Sequence, residues 1–480
     1  RNWPTYARIW PHLGPSDAAS CQEEKARLLL IEWVRFLWKS SQHSEALEVG
    51  WSLDAQWSAT LEQLAQGPLP GGPETTGLLR QILHLRFHLG NVYRSMGDFA
   101  KARELDEAVL ERQREVFPDG ADDLHALMTA GSLAGDLRGL GLYRQALEMD
   151  RQTHARFAQQ YGEDYHRTLT AAANLALSLR LSGASRQAQE LDSDTLQRRR
   201  QVLGEQHPYT LHSVLALATD YRDLGDYKQS AAMMDRTYND FLKVLGPEFV
   251  ETLRAATSLA VSLRYLGEHA RARALTEETA QRFAAGYEDD HPEALACQIN
   301  LAADLAANGR HEHAVTIAET VLGKYERRLG RPHPYTCVAR SNLGSYLLRV
   351  GRSADGFAQL KEANDTLMDS AGELSPLTQG AGLNLANGYA ATGRHEEACE
   401  LDTTLHQQLT ERVGSAHPIT LSSASNLALD YTVLGRQEQA RALRETTLTR
   451  FAAALGEEHP DVVAATAGVR LSFDLVPQPT

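Results

Sequence analysis

Eight glycines recur at intervals of 42 residues without a slip, and this spacing restricts the chain to an architecture of repeated units. Gly97 precedes the first of them by 44 residues, and Ser41 stands in the corresponding place one unit earlier. The 56 residues between Ser41 and Gly97 equal one unit of 42 plus an insertion of 14. The eight glycines are Gly141, Gly183, Gly225, Gly267, Gly309, Gly351, Gly393 and Gly435.

Each unit has the pattern of two helices. The first helix, which we call helix A, ends at the recurring glycine, where a residue free to adopt positive φ closes the turn. A small residue such as Ala440 follows five positions later and lets the second helix, helix B, approach helix A closely. Helix B ends near a second glycine, and a proline opens the next helix A. Glycine after a helix and proline at the start of the next are the expected signals of helix ends.

The motif of one unit can be followed from Gly414 through His417-Pro418 and Asn426 to Gly435. It resembles the 42-residue tetratricopeptide variant found in kinesin light chains, and the resemblance covers roughly residues 80–470. The resemblance implies an all-α fold: a superhelical solenoid of about ten antiparallel helix pairs with a C-terminal capping helix. In such an array we expect each repeat to pack only on its neighbours.

The same register divides the chain into four segments. Residues 1–66 form a divergent helix pair behind an aromatic and proline-containing lead segment, and residues 67–77 are a Gly/Pro-rich insertion. Residues 78–472 are the tandem array with its capping helix, and residues 473–480 are a tail. The chain begins with arginine instead of methionine, so we expect it to be part of a longer protein.

Charge and composition exclude several classes of partner. The 48 basic and 62 acidic residues give a net charge of −14, which argues against non-specific binding to nucleic acid or anionic membranes. The most apolar stretch, residues 26–38, is too short and too charged to span a bilayer. The four cysteines lack the dense spacing of a disulfide framework. We therefore expect a cytoplasmic protein.

Catalytic, metal and cofactor sites are not indicated. The recurring histidines, such as His417 and His459, lie one per repeat, whereas a metal needs its ligands within about 2 Å of it. We expect them to serve the turn between repeats. No phosphate loop, nucleophile elbow or H-E-x-x-H motif occurs in the sequence. An enzyme with a site in irregular insertions such as residues 67–76 remains an alternative.

Two columns of polar residues mark helix A. At 100° per residue, the first column points away from the apolar face, and the second, six residues later, lies about 120° around the helix. We expect both to flank one open groove. The asparagine column comprises Asn174, Asn300, Asn342, Asn384 and Asn426. The arginine column comprises Arg94, Arg138, Arg180, Arg222 and Arg264.

The chemistry of these columns predicts a peptide groove. A side-chain amide offers a donor and an acceptor to a peptide backbone, and arginine grips carboxylates through paired hydrogen bonds. The resemblance to tetratricopeptide proteins implies that the asparagines hold the ligand backbone or its terminal carboxylate. We expect an extended, acidic partner segment that passes about three residues per repeat of about 10 Å. Alternatively, the asparagines bridge neighbouring helices, and the arginines pair with carboxylates such as Asp136 and Asp220.

A second resemblance concerns the setting of the array. Its aromatic start, repeat class and proline-containing tail are similar to the C-terminal sensor region of actinobacterial STAND (NB-ARC) signalling proteins of the FxSxx-COOH type. Only 7 of the 48 basic residues are lysine, a skew typical of a high-GC genome. The resemblance implies a sensor that restrains or releases an ATP-dependent switch outside these residues. A stand-alone adaptor that bridges two proteins is the alternative.

Overall fold

The computed structural model describes residues 3–13, 16–40, 42–66, 72–117 and 120–477. Within these residues every regular element is a helix, and the chain divides into two compact units. The first unit contains residues 1–140 and 148–163, and the second contains residues 141–147 and 164–480.

The helices of the first unit begin with a single helix and continue as pairs. The helix Tyr143–Tyr161 starts within the second unit and continues into the first. The seven helices are α1 (Trp3–Leu13), α2 (Glu24–Lys39), α3 (His43–Ala65), α4 (Pro73–Ser95), α5 (Phe99–Val116), α6 (Leu124–Gly139) and α7 (Tyr143–Tyr161).

The second unit continues the alternation of helix A and helix B to the end of the array. Its first eight helices are α8 (His166–Leu181), α9 (Ser185–Leu203), α10 (Pro208–Asp223), α11 (Tyr227–Val244), α12 (Val250–Tyr265), α13 (His269–Gly286), α14 (Pro292–Ala307) and α15 (His311–Leu329). The remaining seven are α16 (Pro334–Arg349), α17 (Ser353–Ser370), α18 (Pro376–Ala391), α19 (His395–Val413), α20 (Pro418–Val433), α21 (Gln437–Leu455) and α22 (Pro460–Thr466).

These helices confirm the all-α solenoid of ten pairs, which run from α2/α3 to α20/α21. The terminal helix α22 has only seven residues, and residues 469–477 have no regular secondary structure. The extended part of the C-terminus therefore starts before residue 473, where the sequence register placed the tail. Residues 67–71 of the Gly/Pro-rich insertion lie outside the described residues, and the last part of the insertion, from Pro73, opens α4.

Burial in each unit follows the helix pairs. In the first unit Trp10 is buried and stacks on Trp33, with ring centroids 6.3 Å apart. In the second unit the largest core cluster lies between α14, α15 and α16, around Tyr325 and Leu343. Ala314, the small residue five positions after Gly309, is fully buried in this cluster. The small side chain thus lets helix B pack closely, as the sequence predicts.

The recurring glycines also make room for more distant repeats of the second unit. Gly225 has φ of 88°, in the region that favours glycine, and closes the turn after α10. A Cβ atom on Gly225 would lie 2.8 Å from Cδ of Pro418, at the start of α20. Gly267 has the same relation to Pro460. Any other residue at Gly225 would therefore meet both backbone strain and a steric clash.

Contacts between these distant repeats change one expectation. The ring of His417 lies 3.2 Å from the carbonyl oxygen of Asp223, and the ring of His459 lies 3.1 Å from that of Tyr265. Both pairs are separated by 194 residues. The expectation that repeats pack only on their neighbours is therefore wrong for the second unit, because its helix ends also meet those of repeats farther along.

Candidate functional site

Three asparagines of the predicted column hold the C-terminal segment of the chain. Asn342, Asn384 and Asn426 lie on the successive A helices α16, α18 and α20, and all three are at most 1% exposed. The segment of residues 469–477, which we call the tail, runs across them. We call the surface formed by Asn342, Asn384, Asn387, Asn426 and Tyr265 the asparagine groove.

Each of these asparagines binds both backbone groups of one tail residue. The Nδ2 group of Asn342 donates to the carbonyl oxygen of Leu475, and the N–H of Leu475 donates to Oδ1 of Asn342, both at 2.9 Å. Asn426 binds Leu471 in the same way, at 2.9 and 2.8 Å. These amides thus bind the backbone of the chain's own C-terminal segment, whereas their binding of a separate ligand stays a prediction.

The bonded tail residues are alternate ones, and they run against the order of the repeats. Leu471, Phe473 and Leu475 meet asparagines on α20, α18 and α16, respectively. Alternate residues of an extended chain share one face and lie about 6.6–7 Å apart. The tail therefore passes two residues per repeat. The three residues per repeat expected of a separate ligand stay a prediction.

Apolar side chains anchor the tail between the amides. Leu475 is 2% exposed in a core cluster with Val338 and Leu377, and Phe473 stacks on Tyr265 with ring centroids 5.8 Å apart. Gly380 lies against the tail, because a Cβ atom there would come within 2.6 Å of the Leu475 side chain. The groove is therefore shaped for a chain with apolar residues at alternate positions.

An acidic residue of the tail has polar partners of its own. The hydroxyl of Tyr346 donates to Oδ1 of Asp474 at 3.1 Å, and the hydroxyl of Tyr265 donates to the Asp474 carbonyl oxygen at 2.9 Å. The Arg264 Nε atom lies 3.8 Å from Oδ2 of Asp474. Burial raises the pKa of Asp474, while Arg264 opposes this shift.

Arg470 of the tail reaches two buried carboxylates on separate helices. One guanidinium nitrogen, Nη2, donates to Asp402 on α19 at 2.6 Å, and Nη1 donates to Asp430 on α20. The Nε atom donates to Oδ1 of Asn387 at 2.7 Å. Asp402 and Asp430 are 0% and 1% exposed. Arg470 therefore brings a single positive charge to both buried carboxylates, while burial raises the pKa of Asp402 well above its ordinary range.

The arginine column has internal partners in place of an open face. Arg180 donates to Asp192 and Asp220, each at 2.7 Å, and Arg94 likewise pairs with two aspartates, each at 2.6 Å. Arg138 pairs with Asp150, Arg264 with Asp304, and Arg222 lies 3.5 Å from Asp223. Four of the five column arginines thus form ion pairs with carboxylates on other helices, whereas Arg222 lies beside a carboxylate of its own helix. A ligand role for this column stays a prediction.

Burial governs the ionisation of these pairs. Burial alone would lower the pKa of the Arg180 guanidinium, but the charges of Asp220 and Asp192 raise it above its ordinary value. Burial raises the pKa of Asp192 well above its ordinary range, although Arg180 opposes this shift. The arginine therefore keeps two poorly solvated carboxylates in place. Removing it would leave them without a partner.

The remaining asparagines of the column do not meet the tail. Asn300 is 2% exposed and accepts a hydrogen bond from Arg264 at 3.2 Å, while its Nδ2 group donates to the Ala296 carbonyl at 2.9 Å. Asn174 is half-buried on α8. Any ligand role for these two residues remains a prediction.

Two features of the site were missed from the sequence. Asn387 lies one turn after Asn384 and donates to the carbonyl oxygen of Leu471 at 2.7 Å. The tail itself was treated as an end segment, because its residues belong to no repeat. A signal was nevertheless present: the sequence Arg470-Leu-Ser-Phe-Asp-Leu475 alternates apolar residues in a way typical of an extended chain with one buried face.

The recurring histidines cap helices. The Nδ1 atoms of His207, His291, His333, His417 and His459 each accept a hydrogen bond from the backbone N–H two residues later. This is the turn role that the sequence predicts. Across the part of the chain that the structure describes, no cluster of His, Cys, Asp or Glu side chains could hold a metal ion.

None of the described helices is both long enough and apolar enough to span a membrane.

Comparisons with solved structures identify helical repeat proteins of low identity. The kinesin light chain nearly identical TPR-like repeats of Podosopora anserina are 26% identical, cover 43% of this chain and 98% of their own, and give a TM-score of 0.35. BtubC (BKLC) of P. vanneervenii is 19% identical over 51% of this chain and 94% of its own, with a TM-score of 0.39. A Rap protein complexed with competence and sporulation factor is 13% identical over 71% and 96%, with a TM-score of 0.46.

No curated protein matches the sequence. Two family models, both described as tetratricopeptide repeats, match it in four segments. One model covers residues 251–327 and 378–453, and the other covers residues 88–122 and 168–209. The matched segments include α18 and α20, which carry Asn384 and Asn426. These four segments are thus matched as tetratricopeptide repeats.

Proposed function

We propose that the asparagine groove binds an extended protein segment, and that the tail is its occupant in the state described. One observation carries this proposal: single side-chain amides bind both the N–H and the C=O of Leu471, Phe473 and Leu475. Such pairing does not depend on the side chain of the bound residue. The same surface can therefore accept another extended chain with apolar residues at the same spacing.

The occupied groove supports a restraining role for the tail. A partner can bind only after the tail leaves. The partner's apparent affinity therefore falls as the fraction of molecules with a tail-occupied groove rises. Release of the tail would then report that the partner has bound. This behaviour suits the sensor region of a larger STAND-type signalling ATPase, of the kind that the sequence resembles. A stand-alone adaptor, whose groove is freely available, is the second candidate.

The contacts support a more limited acidic character in the partner than the sequence suggested. The column arginines already have carboxylate partners, which leaves them little capacity for an acidic run. Asp474 is the tail residue that approaches the column, 3.8 Å from Arg264. We therefore propose a single acidic position in the bound segment, matching Asp474, in place of an acidic stretch.

A binding measurement tests the proposed function. The chain ending at Gly468 leaves the groove open, and a fluorescein-labelled peptide of residues 469–477 serves as the probe. We expect the shortened chain to bind the peptide and the full chain to bind it more weakly, as followed by fluorescence anisotropy. A shortened chain that retains its helical circular dichroism and thermal transition, but does not bind the peptide, would refute the groove.

Matched variants locate the binding and separate the two candidates. Replacing both Asn342 and Asn384 with alanine in the shortened chain should weaken peptide binding with little change in its dependence on salt, because neutral amides make the contacts. Asn308→Ala is the control, since Asn308 bonds the carbonyl oxygens of Asp304 and His269 instead of the tail. Equal binding by the full and shortened chains would favour the adaptor over the restrained sensor.

A further inference from the structure

Two of the column arginines, Arg94 and Arg180, each form a trio with two buried aspartates. Relative to the column arginine, one aspartate lies 12 residues later on helix B, and the other about 40 residues later on the next helix A. Arg180 with Asp192 and Asp220 forms the complete trio in the second unit, with both distances at 2.7 Å. Each trio places one guanidinium between two carboxylates from different helices.

One trio lacks its own arginine. Position 390, which corresponds to Arg180 five repeats later, is Ala390, yet Asp402 and Asp430 remain at the positions 12 and 40 residues beyond it. Arg470 of the tail supplies the guanidinium there, with contacts to both carboxylates. A buried carboxylate pair in this part of the array is therefore completed by a residue of the bound segment.

We propose that Asp402 and Asp430 form a recognition pocket for an arginine side chain carried by the extended partner. The inference rests on the proposed function and specifies its partner. Counted from that arginine, the partner has apolar residues at the first, third and fifth following positions and an acidic residue at the fourth. The tail meets this description with Leu471, Phe473, Asp474 and Leu475.

The geometry of the pocket selects arginine over lysine. Arg470 uses Nε for Asn387, Nη2 for Asp402 and Nη1 for Asp430, so three nitrogens of a planar group meet three separate acceptors. A lysine ammonium is a single compact centre and cannot span this arrangement. Because Asp402 and Asp430 are at most 1% exposed, a segment without a cation here would leave both carboxylates buried without the cation that they share.

A cavity beside the arginine pocket can be filled by a partner chain but not by the tail. A cavity of about 440 Å³ adjoins Arg470 and Asp430, with apolar walls that include Leu348, Leu429 and Val433. The tail cannot follow it, because the chain turns at Gly468, where φ is 73°, to join α22. A separate partner chain has no such connection. It can place an apolar residue ahead of its arginine into this cavity and compete with the tail.

Peptide variants on the chain ending at Gly468 test the pocket. The probe is the peptide of residues 469–477, and its arginine is replaced by lysine or by citrulline, which keeps the shape but lacks the charge. Loss of one member of a buried charge pair predicts at least about thirtyfold weaker binding for citrulline, and a clear loss for lysine. Changing Ser472 to alanine in the peptide is the control, because Ser472 is exposed.

The outcomes separate this inference from the proposed function. If the lysine and citrulline peptides bind as tightly as the parent peptide, the asparagine groove is supported and the arginine pocket is refuted. If no peptide binds to the folded chain, the proposed function itself fails.

A longer peptide tests the cavity. A peptide extended to residue 468, with leucine in place of glycine, should bind about tenfold more tightly by burying that leucine side chain. An unchanged affinity would refute the use of the cavity.

A variant of the array provides an independent test. Ala390→Arg should restore the internal trio, as Arg180 does in its own repeat, and fill the pocket from within. The variant should then lose its preference for arginine peptides and bind the citrulline peptide at least as well as the parent peptide. Replacing both Asp402 and Asp430 with leucine should remove the same preference without adding a side chain to the groove. A retained preference for arginine in either folded variant would refute the pocket.

Discussion

Asn384 binds Phe473 by both of its backbone groups. The Nδ2 group of Asn384 donates to the Phe473 carbonyl oxygen at 2.7 Å, and the N–H of Phe473 donates to Oδ1 of Asn384 at 2.8 Å. The two residues are 89 positions apart in the sequence. This reciprocal pair lies between the two others that hold the tail. Breaking it therefore measures how firmly the groove holds the tail.

Asn384→Ala should therefore loosen the tail. Two hydrogen bonds at about 1 kcal/mol each amount to roughly 2 kcal/mol, or about thirtyfold in the opening equilibrium. Hydrogen exchange of the Phe473 amide, followed by mass spectrometry or NMR, should accelerate by about that factor. Asn308→Ala should leave this exchange unchanged. If Phe473 exchanges equally in both variants, the paired bonds do not hold the tail.

Arg180→Leu tests the internal role of the arginine column. Asp192 and Asp220, both fully buried, would lose their shared cation, and breaking a buried pair in this way costs about 3–5 kcal/mol. We expect lower resistance to urea and faster hydrogen exchange in α8, α9 and α10. Replacing all three residues with apolar ones should recover most of the loss. If Arg180→Leu leaves stability unchanged but weakens partner binding, the column serves a ligand instead of the scaffold.

The repeat spacing made the fold and the asparagine column predictable, but it could not reveal their occupant. A helix treated in isolation presents Asn426 away from the apolar face, and the sequence does not indicate that Leu471 covers it. The two aspartates of the arginine pocket could have been predicted from the sequence. Asp402 and Asp430 keep the spacing found around Arg180, while Ala390 breaks it, and an unmatched buried pair requires a cation from elsewhere.

Gly380→Ala should displace the tail by steric exclusion. The new Cβ atom would lie 2.6 Å from Cδ2 of Leu475 and 2.9 Å from Cδ1 of Phe473, so these two anchoring side chains have to shift. The tail residues should then exchange hydrogen faster. The asparagines should bind a separate peptide poorly, because the same obstacle remains.

Gly323→Ala is the matched control for Gly380. It also lies within a helix, and its added Cβ atom would meet only Arg327, 3.7 Å away. Alanine is favoured over glycine inside a helix by about 1 kcal/mol, so Gly323→Ala should be neutral or stabilising. A tail that stays equally protected in both variants would contradict the close fit at Gly380.

His417 links helix capping to a distant repeat and fixes its own protonation state. Its Nδ1 atom accepts from the N–H of Ile419 at 3.2 Å, and its Nε2 atom lies 3.2 Å from the carbonyl oxygen of Asp223. Because a carbonyl only accepts, the proton of the neutral ring is on Nε2. Protonation of Nδ1 would remove the cap. Burial lowers the pKa of His417 to about 4, and Arg412 adds to the shift.

This depressed pKa predicts a loss of stability in mild acid. The unfolded chain takes up a proton at His417 near its ordinary pKa of 6.5, whereas the folded chain resists it until about pH 4. The contribution of His417 is therefore complete above about pH 6.5 and is lost as the pH falls from about 6.5 to about 4. His417→Asn keeps a capping acceptor but cannot titrate. Thermal unfolding followed between pH 7.5 and 4 should show a smaller decrease in Tm for His417→Asn than for the parent. Parallel curves for the two proteins would mean that His417 is not held neutral by its buried position between α20 and the end of α10.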